Sequence, residues 1–120
     1  MNSEGVFLSV VIPAYNEEKV ISRTLEDVLS YLKEKGVSYE VIVVDDGSKD
    51  KTSEMASPFS SADDKFHFIG SRPNRGKGHV VRKGILASNG RYVLFMDADN
   101  ATNIREIDKF LPYLEEGRDA

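Results

Sequence analysis

Short apolar runs rich in β-branched residues alternate along this chain with stretches whose apolar residues recur at helical spacing, and no other feature narrows the possible folds as much. Residues 7–13, Phe-Leu-Ser-Val-Val-Ile-Pro, read as a first strand closed by a proline that cannot donate to a sheet ladder. Val20, Ile21, Thr24, Leu25, Val28, Leu29 and Leu32 then mark a helix with one buried face, with Asn16 placed to cap its start and Gly36 to close it. Residues 39–44 form a continuous apolar strand broken by Asp45-Asp46-Gly47-Ser48, and Ser48 stands where it can cap a short helix reaching about Ala56. Residues 57–64 read as a polar loop, 65–69 as a weaker third strand, 70–78 as a glycine-rich segment and 79–88 as a helix. A fourth strand over 91–96 runs into Asp97-Ala98-Asp99, and Ile104, Ile107, Leu111 and Leu114 mark a last helix distorted near Pro112. Strand–helix alternation of this kind predicts an α/β fold: a mostly parallel sheet with helices on both faces, in three α/β/α layers.

Length and charge set the outer bounds. A chain of 120 residues is one domain or part of one, and two independent cores are excluded. Without cysteine there is no disulfide frame, no thiolate metal site and no cysteine nucleophile, which makes the cytoplasm the expected compartment. The apolar stretches at 10–12 and 41–44 fall far short of the roughly 20 residues that span a bilayer, and no basic region precedes the first strand as in a secretory signal, so a soluble segment is expected. A net charge of −4 disfavours a nucleic-acid partner. The charge is unevenly placed, however: seven basic residues and no acidic one lie from Lys65 to Met96, while carboxylates crowd at Asp45, Asp46, Asp97 and Asp99. A phosphate together with a divalent cation suits that pairing.

In a parallel sheet the carboxyl ends of all strands face one edge, so residues 13–17, 45–48, 70–77 and 97–99 converge on a predicted crevice. There Asp97 and Asp99 offer hard oxygen ligands for Mg²⁺ or Mn²⁺ against a diphosphate, although a turn or helix cap uses the same residue types. Asp46 can accept from a nucleobase N–H or a ribose hydroxyl, and Asp45 either shares that task or satisfies loop amides. No His or Ser stands near them in a pattern that suggests a nucleophilic triad. Asn74-Arg75-Gly76-Lys77-Gly78 opens a helix, where unpaired amides, the positive helix end and Lys77 favour an anion. The segment is not a P-loop, because its glycines are wrongly spaced and no hydroxyl follows Lys77. Arg82 either reaches a phosphate or lies on a solvated helix face, and His79 reads as structural. Tyr15 and Glu17 give a planar ring and a carboxylate that can flank a nucleoside, or that merely pack a loop and complement a helix dipole.

Taken together, Val-Ile-Pro-Ala-Tyr-Asn-Glu at 11–17, Val-Asp-Asp-Gly-Ser-Lys-Asp-Lys-Thr at 44–52, Asn-Arg-Gly-Lys-Gly at 74–78 and Asp-Ala-Asp at 97–99 resemble family 2 glycosyltransferases, over residues 8–114. The resemblance implies a GT-A (Rossmann-like) fold and a nucleotide-sugar donor. Within the family, Arg-Gly-Lys-Gly and Asp-Ala-Asp-Asn-Ala-Thr at 97–102 are most similar to the polyprenyl or dolichyl phosphate sugar synthases, the glucosyl branch first. By the same resemblance Pro13, Ala14, Tyr15, Glu17 and Asp46 hold the nucleoside, Lys77 lies beside the nucleotide, and Asp97 and Asp99 are the catalytic residues that bind metal and diphosphate; Asp45 and Arg82 join the candidate nucleotide-binding residues by their positions alone. Ala101 stands where mannosyl-phosphate synthases often carry a glutamine that contacts the metal, a departure that favours UDP-glucose over GDP-mannose and leaves the remaining metal ligands unassigned.

The reaction so implied passes the sugar with inversion to a lipid phosphate, whose oxygen attacks the anomeric carbon. A hydroxyl acceptor would instead need a general base, which the family places beyond this region. Residues 1–120 are then expected to be the nucleotide-sugar-binding part of a domain truncated before its acceptor half, able to bind nucleotide but to transfer little sugar. For a longer protein, peripheral association with the cytoplasmic face of a membrane is expected. A phosphorelay receiver is a poor alternative, since receivers place their acidic pair after the first strand, where this chain has Pro13-Ala14. A nucleotide-sugar sensor without catalysis stays open.

Overall fold

The strands β1 (Leu8–Ala14), β2 (Tyr39–Asp45), β3 (Phe66–Gly70) and β4 (Tyr92–Phe95) form one sheet in the order β3-β2-β1-β4, with every pairing parallel. The structure is a computed structural model and describes residues 5–70, 73–100 and 103–116. Register sets what each face carries. Leu8, Val10, Ile12 and Ala14 of β1 and Tyr39, Val41 and Val43 of β2 point to one side, where they meet α1 (Ile21–Lys35). Val11, Ile42 and Val44 point to the other and meet Val80 of α4 (Lys77–Ala87). Both faces of the two central strands are therefore covered, which explains why β1 and β2 read as continuous apolar runs rather than alternating ones. The expected α/β/α layering is the observed one.

The apolar stripe of α1 buries Ile21, Leu25, Val28, Leu29 and Leu32. Gly36 ends the helix at φ 70°, the left-handed conformation that glycine takes without a Cβ clash. The start differs from expectation. Val20 holds the N-cap position with no side-chain cap bond, and the side chain of Asn16 instead accepts from Lys49 N at 2.9 Å. Ser48 likewise caps no helix. The helix after β2, α2 (Thr52–Ala56), has Lys51 at its N-cap without a side-chain bond, while Ser48 donates to Asp45. Both polar residues face a second loop rather than their own helix, and that long-range partner outcompetes the local cap.

Residues 57–64, expected as a loop, include the short α3 (Phe59–Ala62), which packs Phe59 on Phe66 with ring centroids 5.7 Å apart. The helix α4 begins at Lys77 rather than 79. The last helix is two pieces: a 3₁₀ segment, Ile104–Lys109, and α5 (Leu111–Glu115), with Pro112 in the first turn of α5. Asn103 caps the 3₁₀ segment by accepting from Arg105 N at 2.8 Å. At the opposite end of the sheet from the strand mouths, Glu40 is buried on the α4 side and accepts from Ser9 Oγ at 2.6 Å and Asn89 N at 2.5 Å. Ser9 Oγ in turn accepts from Gly90 N at 2.7 Å, so the turn after α4 is tied to both central strands. The edge strand β4 leaves Val93 and Phe95 exposed, on the side that α4 covers over β1 and β2.

Candidate nucleotide and cation site

The four carboxyl-end loops meet at a cavity of about 450 Å³ whose lining includes Pro13, Ala14, Tyr15, Glu17, Asp46, Lys77, Asp97 and Asp99. Asn74, Gly76, Val80 and Ala98 complete the lining. Val80 was not singled out by sequence, although it lies three residues after Lys77 and so on the same helix face. Asp45 and Arg82 are not among the lining residues. Asp45 is buried and its carboxylate accepts from Ser48 N at 3.1 Å and from the Ser48 hydroxyl. Arg82 is exposed on α4. A hollow of about 530 Å³ near Lys33, Tyr39 and Asp63 is lined by none of the strand-mouth loops, and its polar groups satisfy one another: Tyr39 donates to Asp63 at 3.0 Å and Lys33 lies 3.7 Å from the same carboxylate.

Asp46 ties two of the loops together. Its two oxygens accept from Arg75 N at 2.8 Å and Gly76 N at 3.0 Å, which fixes the turn that leads into α4. Gly76 has φ 94°, a conformation closed to most side chains. A carboxylate oxygen has a second lone pair, so Asp46 keeps acceptor capacity toward the cavity. The amides of the first turn of α4 have no partners within the helix and lie where an anion gains from the helix dipole. Lys77 adds a full charge there, with its Nζ 3.5 Å from Asp97 Oδ1. Both side chains are largely exposed, so that ion pair is readily exchanged for a ligand.

The acidic pair sits on a rigid support. Met96 and Ala98 are buried in the α1 side of the core, which leaves Asp97 and Asp99 on either side of an anchored residue. Asn100 N donates to Asp97 O at 3.0 Å to close the turn, and Asn100 takes φ 59°, held by a 3.2 Å hydrogen bond from its Nδ2 to Asp27 on α1. The same Asp27 pairs with Arg105 at 2.7 Å, which ties the 3₁₀ segment to α1. Ala101 lies outside the described residues.

Glu17 records the local field. Burial, then the charges of Asp99, Asp50 and Asp97, push its carboxyl above the ordinary range. Because the fold raises this pKa, Glu17 supports stability below its ordinary titration range, and that contribution is lost as the pH rises through the raised value. Glu17→Gln is therefore expected to raise the melting temperature at neutral pH and not at pH 3. Asp99→Asn should bring the Glu17 titration, followed by carboxyl ¹³C NMR, back down. An unmoved titration would show that Asp99 does not share its field.

The donor chemistry fits a hard divalent ion: oxygen ligands only, in a cavity with excess negative charge. Among the described residues no group of three or more His, Cys, Asp or Glu is placed to hold a metal ion. Two carboxylates completed by ligand phosphate oxygens are the arrangement that suits Mg²⁺ or Mn²⁺.

Known proteins similar to this chain are numerous. The family model "Glycosyl transferase family 2" matches residues 9–120. Dolichyl-phosphate beta-glucosyltransferase of Homo sapiens is 45% identical over 109 residues, which cover 85% of this chain and 34% of that protein. S. aureus TarS 1-349, solved in complex with UDP-GlcNAc, superposes with a TM-score of 0.76 at 26% identity, covering 92% of this chain and 32% of that one. Glucosyl-3-phosphoglycerate synthase from Mycobacterium tuberculosis, in complex with Mn²⁺, UDP and glucosyl-3-phosphoglycerate, gives a TM-score of 0.59 at 30% identity over 78% of this chain and 33% of that one. The chain thus spans about a third of the length of the relatives it matches. With the family model covering all but its first eight residues, and with the GT-A sheet and strand-mouth cavity in place, the chain belongs to glycosyl transferase family 2.

Proposed function

We propose that this chain forms the donor-binding part of an inverting glycosyltransferase that passes glucose from UDP-glucose to a dolichyl or polyprenyl phosphate. The observation that carries the reading is the single cavity in which Tyr15, Glu17 and Asp46, Lys77 at a helix start, and the Asp97–Asp99 pair all stand. Tyr15 and Asp46 suit the flat face and the N–H edge of a nucleobase. Lys77 and the first amides of α4 suit the diphosphate. Asp97 and Asp99 would hold Mg²⁺ or Mn²⁺, which supplies charge stabilisation to the departing nucleoside diphosphate. Relatives named for dolichyl-phosphate glucosylation favour glucose and that acceptor, and a neighbour bound to UDP and Mn²⁺ favours uridine and a divalent ion.

In the transfer, a phosphate oxygen of the acceptor bonds to the anomeric carbon as the bond to UDP breaks, so the configuration inverts. That oxygen is anionic at neutral pH, and no residue needs to remove a proton from it. Among the described residues no helix is long and apolar enough to cross a membrane. Calorimetric titration with UDP and with GDP, each with and without Mn²⁺, tests the donor half of this reading. Binding of UDP that strengthens with Mn²⁺ and exceeds that of GDP is expected. Tighter binding of GDP than of UDP would move the donor toward GDP-mannose, and no binding by folded protein would end the proposal.

A further inference from the structure

Two loops that lie far apart in the sequence are bound to each other through side chains. The backbone N–H groups of Asn16, Glu17 and Glu18, after β1, donate to Ser48 Oγ at 2.8 Å, Thr52 Oγ1 at 2.7 Å and Asp50 Oδ2 at 3.2 Å, after β2. The reverse bonds also form, from Lys49 N to Asn16 Oδ1 and from Lys51 N to Glu18 Oε1, each at 2.9 Å. Each hydroxyl points its own proton at a carboxylate: Ser48 donates to Asp45, and Thr52 donates to Asp50 at 2.5 Å. With the proton so directed, the hydroxyl oxygen presents a lone pair to the amide, and each amide–hydroxyl–carboxylate series polarises along its length.

Burial makes these bonds hard to replace. Thr52 is fully buried and Asp45 and Ser48 nearly so, which leaves little water to take over as acceptor. Burial raises the Asp50 pKa, but hydrogen bonds from Thr52 and from Glu18 N outweigh it and hold the carboxyl below its ordinary value. Asn16 stands at φ 54°, a backbone conformation that a non-glycine residue keeps when its surroundings enforce it. Its neighbours Tyr15 and Glu17 are the two residues of this loop whose side chains were expected at the ligand.

We infer that Ser48 and Thr52 are positioning residues of the cavity: their hydroxyls hold the backbone of Asn16 and Glu17 and so set where Tyr15 and Glu17 stand on its rim. This inference rests on reading the cavity as a nucleotide site. Neither hydroxyl residue lines the cavity, so any effect on a ligand passes through the rim.

Thr52→Val keeps the side-chain shape and removes the acceptor, and Thr52→Ser keeps the acceptor. Two readouts are needed: amide hydrogen exchange of residues 16–18 by ¹⁵N NMR without nucleotide, and UDP affinity by calorimetry with Mn²⁺. Thr52→Val is expected to speed exchange at Glu17 and to weaken UDP binding about tenfold, with Thr52→Ser within about twofold of wild type in both. Ser48→Ala should act in the same way at Asn16, and it carries the test if Thr52→Val does not fold. Faster exchange with unchanged UDP affinity, or no rescue by serine, overturns the inference. Unchanged exchange in protein that binds UDP normally overturns it too and leaves the nucleotide reading intact. Faster exchange in a protein whose wild type binds no UDP supports the loop staple and removes the nucleotide reading.

Discussion

Asp99→Ala is expected to abolish the manganese-dependent part of UDP binding while leaving metal-free binding no weaker than in the wild type. Both signs follow from the charges around the cavity. Without a metal, Asp99 is a negative group facing a negative diphosphate, and its field already reaches Glu17. Removing it eases repulsion. With Mn²⁺ present, one of the two carboxylates that would hold the ion is gone, and among the described residues no group of three or more His, Cys, Asp or Glu is placed to hold it instead. Loss of a mere supporting partner costs ~10–100-fold in metal affinity, so loss of a direct ligand should exceed about a hundredfold. Calorimetric titration of UDP with EDTA, and again at a fixed Mn²⁺ concentration, reads the two quantities. Retained manganese enhancement would remove Asp99 from the cation site, and weakened metal-free binding would point to a misfolded variant instead.

The second large effect concerns stability and lies at the other end of the sheet. A Cβ at Gly90 would stand 2.6 Å from Ser9 N and 2.8 Å from Tyr92 O, and closer still to Ser9 Oγ. Two of those atoms are backbone atoms, one at β1 and one at β4, which cannot rotate aside. Gly90→Ala must therefore push the turn off the sheet and loosen the bonds that Ser9 and Glu40 make to Gly90 and Asn89. Overpacking of this kind costs about 1–3 kcal/mol, and disturbing buried acceptors adds to it. Against a total of roughly 5–15 kcal/mol, a fall of about 3 kcal/mol is large. Urea denaturation should show the midpoint drop with little change in slope. UDP affinity of the remaining folded protein should stay near wild type, because the strand mouths lie at the far end. An unshifted midpoint would mean that the turn has room to move.

How much of this was legible beforehand differs by the range of the interaction. The strands at 8–14 and 39–45 and the stripe of α1 were readable because their periodicity reflects burial against one or two layers, a property each segment displays by itself. The convergence of Tyr15, Asp46, Lys77 and Asp99 followed from parallel topology alone. The destinations of short polar side chains did not. Asn16 and Ser48 look like helix caps in isolation, yet each bonds across to the other loop, a pairing more than thirty residues apart that local pattern cannot reveal. For the same reason Asp45 and Asp46, adjacent and identical, part company. One is turned inward to Ser48 and the other holds the Arg75–Gly76 turn at the cavity. The 3₁₀ segment escaped because Ile104 and Ile107 satisfy a three-residue repeat that suits either helix type.

One consequence concerns the behaviour of the material in a tube. Among the described residues β4 hydrogen-bonds a strand on one side only, and beside that edge stand Val93 and Phe95, with Phe110 and Tyr113 also about half exposed. An uncovered ladder next to greasy side chains is a template for intermolecular pairing. When residues 1–120 are concentrated on their own, self-association along this rim is expected to set the ceiling for spectroscopy and crystallisation.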